Sequence, residues 1–170
     1  TRQKLPAWAL FSAMISMVGL PIYMHAPKYY VDTYQISLSA LGATLFVVRL
    51  IDVVQDPLLG WVAQHYQNRR GLIVSVSGSA MALGMVGLFA VTPSFAPLLW
   101  FGLCLIMLFS AFSMASICFY AQGIGKAQTL GPLGHVRLAG WREGGALLGV
   151  SLAAVIPLAL SGMIEAPFAG

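Results

Sequence analysis

Apolar residues recur along the chain in five long stretches that are separated by short polar segments. An α-helix rises about 1.5 Å per residue, so about 20 consecutive apolar residues cross the hydrocarbon core of a bilayer. The pattern therefore predicts an all-α membrane protein, with five transmembrane helices in one bundle. The predicted helices cover residues 6–26, 38–64, 72–91, 97–122 and 141–163.

The composition excludes a soluble globular domain. The chain is 59% hydrophobic and only 8% charged, whereas about a quarter of the residues in soluble domains are charged. The net charge of +4 comes from basic residues scattered between the apolar stretches. This favours a lipid bilayer as the partner, and no nucleic acid. Since the sequence has no nucleophile–base pair, phosphate loop or nucleotide fingerprint, we expect neither an enzyme nor a cofactor.

The second apolar stretch contains three charged residues that share one side of the predicted helix. Arg49, Asp52 and Asp56 fall within roughly 60° of one another at about 100° per residue, and we call them the charged stripe. Charges at bilayer depth are costly and usually mark an ion or substrate path. Because the stripe has one arginine and two aspartates, the charge of one carboxylate is not balanced by an arginine, as a cation site requires. The alternative is an internal ion pair that only joins helices.

Oxygen ligands for a cation are concentrated at the same place. Pro57 has no N–H to donate to the carbonyl of Val53, so this carbonyl lies free beside Asp56. A carbonyl and two carboxylates are hard ligands that suit Na⁺ or a proton. We therefore predict a cation-coupling site formed by Asp52, Asp56 and Arg49, with the two aspartates as metal ligands if the ion is Na⁺.

Hydroxyl groups on the first and fourth predicted helices suggest where a solute binds. Such groups can hydrogen-bond a small polar solute, although serines in membrane helices also bond to the backbone or to neighbouring helices. Arg142 opens the fifth helix, where it either extends to the membrane surface or turns inward to the solute. The predicted substrate-binding residues are Ser16, Tyr23, Ser116, Tyr120 and Arg142.

The distribution of cations predicts the orientation in the membrane. Lys28 is the one cation between predicted helices on its side, and seven others flank the opposite ends. By the positive-inside rule, the N-terminus is cytoplasmic and residue 170 lies outside. The seven cations are Arg2, Lys4, Arg69, Arg70, Lys126, Arg137 and Arg142.

Small residues at helical spacing predict close helix packing in two places. On the fifth helix Gly145, Gly149 and Ala153 repeat every four residues, and the third helix is rich in glycine, serine and alanine. Small side chains let the backbones of neighbouring membrane helices approach. Separately, Ser37 or Ser39 is predicted to cap the second helix.

Several motifs together resemble one transporter family. The likeness rests on four segments: Gly19-Leu20-Pro21-Ile22-Tyr23, the pattern Arg49-x-x-Asp52-x-x-x-Asp56-Pro57, the loop Gln67-Asn68-Arg69-Arg70-Gly71 and the segment Trp141-Arg142-Glu143. They resemble the glycoside–pentoside–hexuronide:cation symporters, the melibiose-permease-like branch of the major facilitator superfamily. The resemblance implies a cation-coupled symporter of a sugar or glycoside in a bacterial inner membrane. It also implies that Asp52 and Asp56 bind the coupling ion and that Arg142 lies near the sugar.

The chain departs from that family at two positions and in length. The sugar-transporting members carry acidic residues where Ser16 and Ser116 stand here, which affects the substrate but leaves the cation site intact. A complete facilitator has twelve helices in two halves, so residues 1–170 are expected to be an N-terminal half-domain that works with a C-terminal half or with partner subunits. The alternatives are a non-transporting membrane scaffold or assembly factor, and an accessory subunit of a larger membrane complex.

Overall fold

The computed structural model describes residues 5–165, and all of the regular secondary structure in that range is helical. This confirms the all-α prediction. The helices are α1 Leu5–Leu20, α2 Ala26–Tyr34, α3 Leu38–His65, α4 Arg70–Phe89, α5 Pro97–Gln128 and α6 Gly134–Glu165. A π-helical turn, Pro21–His25, joins α1 to α2, and a 3₁₀ turn, Gln67–Arg69, precedes α4.

Four helical stretches within the described part of the chain are long and apolar enough to cross a membrane. They are Leu5–Tyr34, Leu38–His65, Gln67–Phe89 and Pro97–Gln128. The predicted fifth span falls on α6, a helix of 32 residues. Its apolar part runs into positions whose side chains lie outside the described set, so the count of five spans stays a prediction. Arg2 and Lys4, used above for orientation, also lie outside the described residues.

The first helical stretch is longer than its sequence pattern predicts. The first predicted helix ends at residue 26, since Pro27 favours a helix end there, yet the chain stays helical to Tyr34, so that predicted end is wrong. Pro27 is the second residue of α2, in the first turn, where a missing N–H costs little. Pro21 cannot donate within the helix, and the chain takes the wider π turn from that residue to His25.

The predicted link over residues 123–140 is also mostly helical. Helix α5 continues to Gln128 and α6 begins at Gly134, so the predicted start at residue 141 is wrong and only residues 129–133 connect the two helices. Gly131 adopts a φ of +84° there, a left-handed conformation that glycine takes without a steric cost. The polar composition suggested a loop because the glycines of this stretch weaken a helix without breaking it.

The described residues divide into two compact units, 5–25 with 124–165, and 26–123. In the first unit α1 and α6 run in the same direction with their backbones in contact. A Cβ added to Gly145 would clash with the carbonyl of Ala9, and one added to Gly149 would clash with that of Ala13. Ala153 continues the contact and is buried. The small-residue seam predicted on the fifth helix is therefore confirmed.

In the second unit α4 packs antiparallel against α5 through glycines. A Cβ on Gly84 would lie 2.6 Å from Cγ of Leu108, and one on Gly87 would lie 3.2 Å from Sγ of Cys104. The indole nitrogen of Trp100 donates a 2.8 Å hydrogen bond to the carbonyl of Gly87, which the close approach makes possible. The prediction that small residues on the third span admit a neighbouring helix is confirmed at these two positions.

Helix α2 is anchored to the second unit by an aromatic cluster centred on Tyr30. The Tyr30 ring is fully buried and lies 4.8 Å from the ring of Phe101 between centroids. Its hydroxyl donates to the carbonyl of Leu88 at 3.2 Å. Because α4 ends at Phe89, this carbonyl belongs to the last turn, which has no donors of its own helix. Tyr30 therefore caps α4 from another helix.

Replacing Tyr30 with phenylalanine is expected to lower the free energy of unfolding by about 0.5–1.5 kcal/mol, the usual contribution of a hydrogen bond. The ring contact with Phe101 is kept, so only the bond to the Leu88 carbonyl is lost. Thermal unfolding of the purified protein measures the change. Tyr66→Phe, at a half-exposed position, is the control, and an equal loss in both variants would contradict the capping role.

Candidate cation site on helix α3

The charged stripe lies in the middle of an unbroken helix. Helix α3 starts after Ser37, whose hydroxyl accepts a hydrogen bond from the backbone N–H of Ala40 at 3.3 Å, which confirms the predicted cap. The helix continues through Pro57 to His65, a length of 28 residues. Each end of α3 is thus more than two turns from the stripe, and the three charges are held on a rigid segment.

Arg49 pairs with the nearer of the two aspartates. Its Nη1 donates to Oδ2 of Asp52 at 3.1 Å, and the Asp52 side chain is 9% exposed while that of Arg49 is 50% exposed. Asp56 is exposed, and no cation of residues 5–165 lies within ion-pair distance of it. The excess carboxylate expected from the sequence is therefore Asp56.

The stripe faces away from the side of α3 that suits lipid. At about 100° per residue, the large exposed apolar side chains of this helix centre roughly 150° from the charged stripe, although Leu38 and Val53 lie closer to it. These apolar residues are Leu38, Phe46, Val47, Leu50, Ile51, Val53, Val54, Leu58 and Trp61. Asp52 lies instead on the packed side with Leu41 and Val48, both buried. The Asp52 carboxylate thus avoids the most apolar exposed surface of the helix, whereas Asp56 is exposed.

Phe109 of α5 forms a second contact with the stripe. The guanidinium carbon of Arg49 lies 4.3 Å from the centroid of the Phe109 ring, and Phe109 is 3% exposed. A guanidinium at this distance from a ring face is attracted by the ring quadrupole. The sequence analysis missed Phe109, because an aromatic residue in an apolar helix gives no signal until its partner is known.

A hydrogen bond joins α3 to α5 further along the same helix. The hydroxyl of Ser110 donates to Oε1 of Gln55 at 3.0 Å. An amide oxygen has two lone pairs, so Oε1 keeps one for another donor or a cation. Gln55 was also missed, although a glutamine inside an apolar stretch, three residues after Asp52, was a signal that could have found it.

The arrangement retains one net negative charge that a monovalent cation could neutralise. Arg49 balances Asp52, and the carboxylate of Asp56 is left one helical turn further on. No group of three or more His, Cys, Asp or Glu side chains that could hold a metal occurs among the described residues. The candidate ligands are accordingly the oxygens of Asp52 and Asp56, which suit Na⁺ or a proton rather than a transition metal.

The predicted substrate residues are distributed between the two units. Ser16 and Tyr23 belong to the first unit, where Tyr23 lies in the π-helical turn and is 44% exposed. Ser116 and Tyr120 lie on α5 in the second unit, and Tyr120 is 54% exposed. That these side chains share one solute-binding cavity stays a prediction.

Arg142 forms an ion pair with its neighbour in sequence. Its Nε and Nη2 donate to Oε1 of Glu143 at 2.9 and 2.6 Å, and the Arg142 side chain is 34% exposed. Because α6 begins at Gly134, Arg142 lies in the third turn rather than at the helix start that the sequence suggested. The pair with Glu143 partly neutralises it, and its role toward a solute stays a prediction.

A large groove lies in each unit, and neither of these two grooves is lined by the charged stripe. A groove of about 690 Å³ in the first unit is lined by Arg137, Trp141 and Ser151 together with apolar residues of α6. A groove of about 410 Å³ in the second unit is lined by Ser77 and Ser110 among aliphatic and methionine side chains. Surfaces of this apolar kind are typical of contacts with lipid or with another helix.

A comparison with protein families gives a match over nearly the whole chain. The family model described as MFS/sugar transport protein matches residues 7–168. The matched segment includes the charged stripe and all of the predicted substrate-binding positions. No solved structure matches the chain.

Proposed function

The chain belongs to the MFS/sugar transport protein family, and on that premise we propose that it forms the cation-binding part of a symporter for a sugar or another small polar solute. As a member of this family it is an integral membrane protein of the transporter class and not an enzyme. The proposal adds the coupling ion, Na⁺ or H⁺, and assigns it to Asp52 and Asp56. Arg49 is the neighbouring positive charge, which pairs with the Asp52 carboxylate at this site.

One observation carries the proposal, namely the exposed carboxylate of Asp56 next to the Arg49–Asp52 pair. A structural ion pair needs one acid and one base, and the additional acid at this depth is costly unless it has a function. Most of the exposed apolar side chains of α3 also lie on the side opposite the stripe, and Asp52 is buried on the packed side. Both features favour an ion site that solvent reaches.

The coupling follows from charge neutralisation. A cation at Asp52 and Asp56 removes the net negative charge of the stripe and thereby changes the field at a bound solute. If the cation tightens solute binding by some factor, then the solute tightens cation binding by the same factor. This reciprocity lets an ion gradient drive accumulation of the solute.

The likeness in sequence supports a finer assignment within the family. The pattern from Arg49 to Pro57 favours the melibiose-permease-like branch, a cytoplasmic N-terminus, and an intact transporter in which a second half completes the transport path. Serines replace acidic residues at positions 16 and 116. We therefore propose a solute other than a galactoside, which those acidic residues would bind.

The rival function, a non-transporting scaffold with the facilitator fold, makes a different demand on the stripe. It requires that the charges be paired internally, since an unpaired acid only lowers the stability of a scaffold. Asp56 has no ion-pair partner among the described residues, which favours the transporter.

Uptake into liposomes tests the proposal. The intact transporter is reconstituted and given an inward Na⁺ gradient, an inward proton gradient, or neither. The labelled probes are methyl β-glucoside, xylose and glucuronate, which represent glycosides, pentoses and hexuronates. We expect one probe to accumulate above its external concentration under one of the gradients. Liposomes without the protein should accumulate none of the probes. Equal uptake of all three probes with and without gradients would contradict cation coupling.

A further inference from the structure

The guanidinium of Arg49 contacts groups on two different helices. Its guanidinium lies 3.1 Å from Oδ2 of Asp52 on α3 and 4.3 Å from the ring centroid of Phe109 on α5. Both partners are buried, whereas half of the Arg49 side chain is exposed. The charged end of Arg49 is thus placed between an acid that a cation would bind and a ring that can hold only a cation or an apolar group.

We propose that Phe109 is a positioning residue that keeps Arg49 beside Asp52, so that Arg49 competes with Na⁺ for this carboxylate and sets the affinity of the site. The inference rests on the proposed function, because it concerns the same ion site. In the ion-free protein Arg49 occupies one side of Asp52. Binding of Na⁺ at Asp52 and Asp56 requires that the guanidinium leave, and half of the Arg49 side chain is uncovered, which leaves it room to move.

In the second unit no other cation competes with Arg49 for the position beside the Asp52 carboxylate. From Gly71 to Gly123, which covers nearly all of α4 and α5 up to the boundary of the unit, the sequence contains no Asp, Glu, Lys or Arg. Arg70, the first residue of α4, forms no ion pair with Asp52, so Arg49 is the one cation of the described residues within ion-pair distance of this carboxylate. The ring of Phe109 is the contact that Arg49 makes with α5, in addition to its ion pair with Asp52 on α3.

The register of α3 and α5 keeps the ring and the guanidinium together. The bond from Ser110 to Gln55 fixes the two helices beyond the Arg49–Phe109 contact. A Cβ on Gly102 would lie 3.3 Å from Cγ2 of Thr44. The two helices therefore also approach closely on the N-terminal side of the Arg49–Phe109 contact. The ring is fixed between these two points, so its effect on Arg49 does not depend on a mobile element.

Phe109→Leu is the test, because leucine fills the site but has no ring face. Equilibrium binding of ²²Na⁺ to the purified intact protein is measured at pH 8. Loss of the cation–π contact weakens the hold on Arg49, so the Na⁺ concentration at half-saturation is expected to fall about three- to tenfold. Phe101→Leu is the matched control, since Phe101 is a buried phenylalanine on the same helix that packs on Tyr30. It is expected to lower thermal stability without changing half-saturation.

A purely structural role for Phe109 would lower stability in both variants and leave Na⁺ binding alone. Phe109→Tyr keeps the ring face and is expected to restore the half-saturation of the unchanged protein. Unaltered or weaker Na⁺ binding by Phe109→Leu would overturn the inference while the proposed function stands. Absence of Na⁺ binding in the unchanged protein would overturn it too, and the proton arm of the uptake experiment would then decide the proposed function on its own.

Discussion

Asparagine in place of Asp56 is expected to abolish ion-driven accumulation of the solute. Asparagine has nearly the same shape as aspartate but no charge, so the stripe becomes neutral through the Arg49–Asp52 pair alone. The site then has no net negative charge to attract a cation, and it offers one charged ligand fewer. A hydrogen bond to a charged group contributes about 1.5–3 kcal/mol. The ratio of internal to external solute should therefore fall about tenfold or more, toward the value without a gradient. Uptake into liposomes under an imposed gradient measures it.

Asp32→Asn provides the control for this experiment. Asp32 is exposed on α2 and lies outside the charged stripe, so uptake should equal that of the unchanged protein. Asp52→Asn is expected to reduce accumulation as Asp56→Asn does. Undiminished gradient-driven accumulation in both stripe variants would end the coupling hypothesis.

Removing the pair as a whole separates ion binding from structural support. Buried ion pairs can often be replaced by apolar residues without a loss of stability, whereas removal of one partner leaves a charge unpaired. Leucine at both 49 and 52 is therefore expected to give a folded protein that does not accumulate solute. Arg49→Leu alone should be less stable than the double variant, because it leaves the buried carboxylate of Asp52 without its partner. Full transport by the double variant would show that the pair only joins helices.

Leucine at Gly145 is expected to cause the largest loss of stability in the first unit. A side chain there meets the backbone of Ala9 on α1, and backbone atoms cannot move aside as the end of a flexible side chain can. Overpacking usually costs about 1–3 kcal/mol, and separating two backbones in contact should reach the upper end of that range. The expected result is a lower thermal unfolding temperature, or loss of the folded protein from the membrane fraction.

Gly144→Leu is a closely matched control. Gly144 is the preceding residue of the same helix, and a Cβ there would meet no heavy atom of the described residues within 4 Å. Both substitutions carry the same change in helix propensity, so a difference between them reports the contact with Ala9. Equal unfolding temperatures would contradict the close packing of α1 and α6.

The elements that could be predicted from sequence are those with a local cause. The charged stripe followed from residue spacing along α3 alone, because the helical period decides which side chains share a face. The cap at Ser37 and the seam of Gly145, Gly149 and Ala153 followed from the chemistry of single residues at fixed spacing. The structure agrees with each of these.

The errors concern places where local signals conflict with the continuation of a helix. Pro27 and the glycines of residues 123–140 indicated breaks, yet the chain is helical at both. A proline in a first turn costs little, and the cost of about 1 kcal/mol for a glycine is small beside the burial of a long apolar helix. The π turn from Pro21 to His25 could not be predicted, because it depends on how the helix accommodates a missing donor.

The sequence by itself determined the class of the protein, the face on which Arg49, Asp52 and Asp56 lie, and the excess of one acid. Composition and helical period are local properties, and they do not depend on what packs where. Only the tertiary structure decided which aspartate Arg49 pairs with, that Asp56 is the exposed acid, and that Phe109 and Ser110 of α5 contact α3 beside the stripe. The contacts with α5 join residues more than fifty positions apart, and they exist only because helix packing sets the register of α3 against α5.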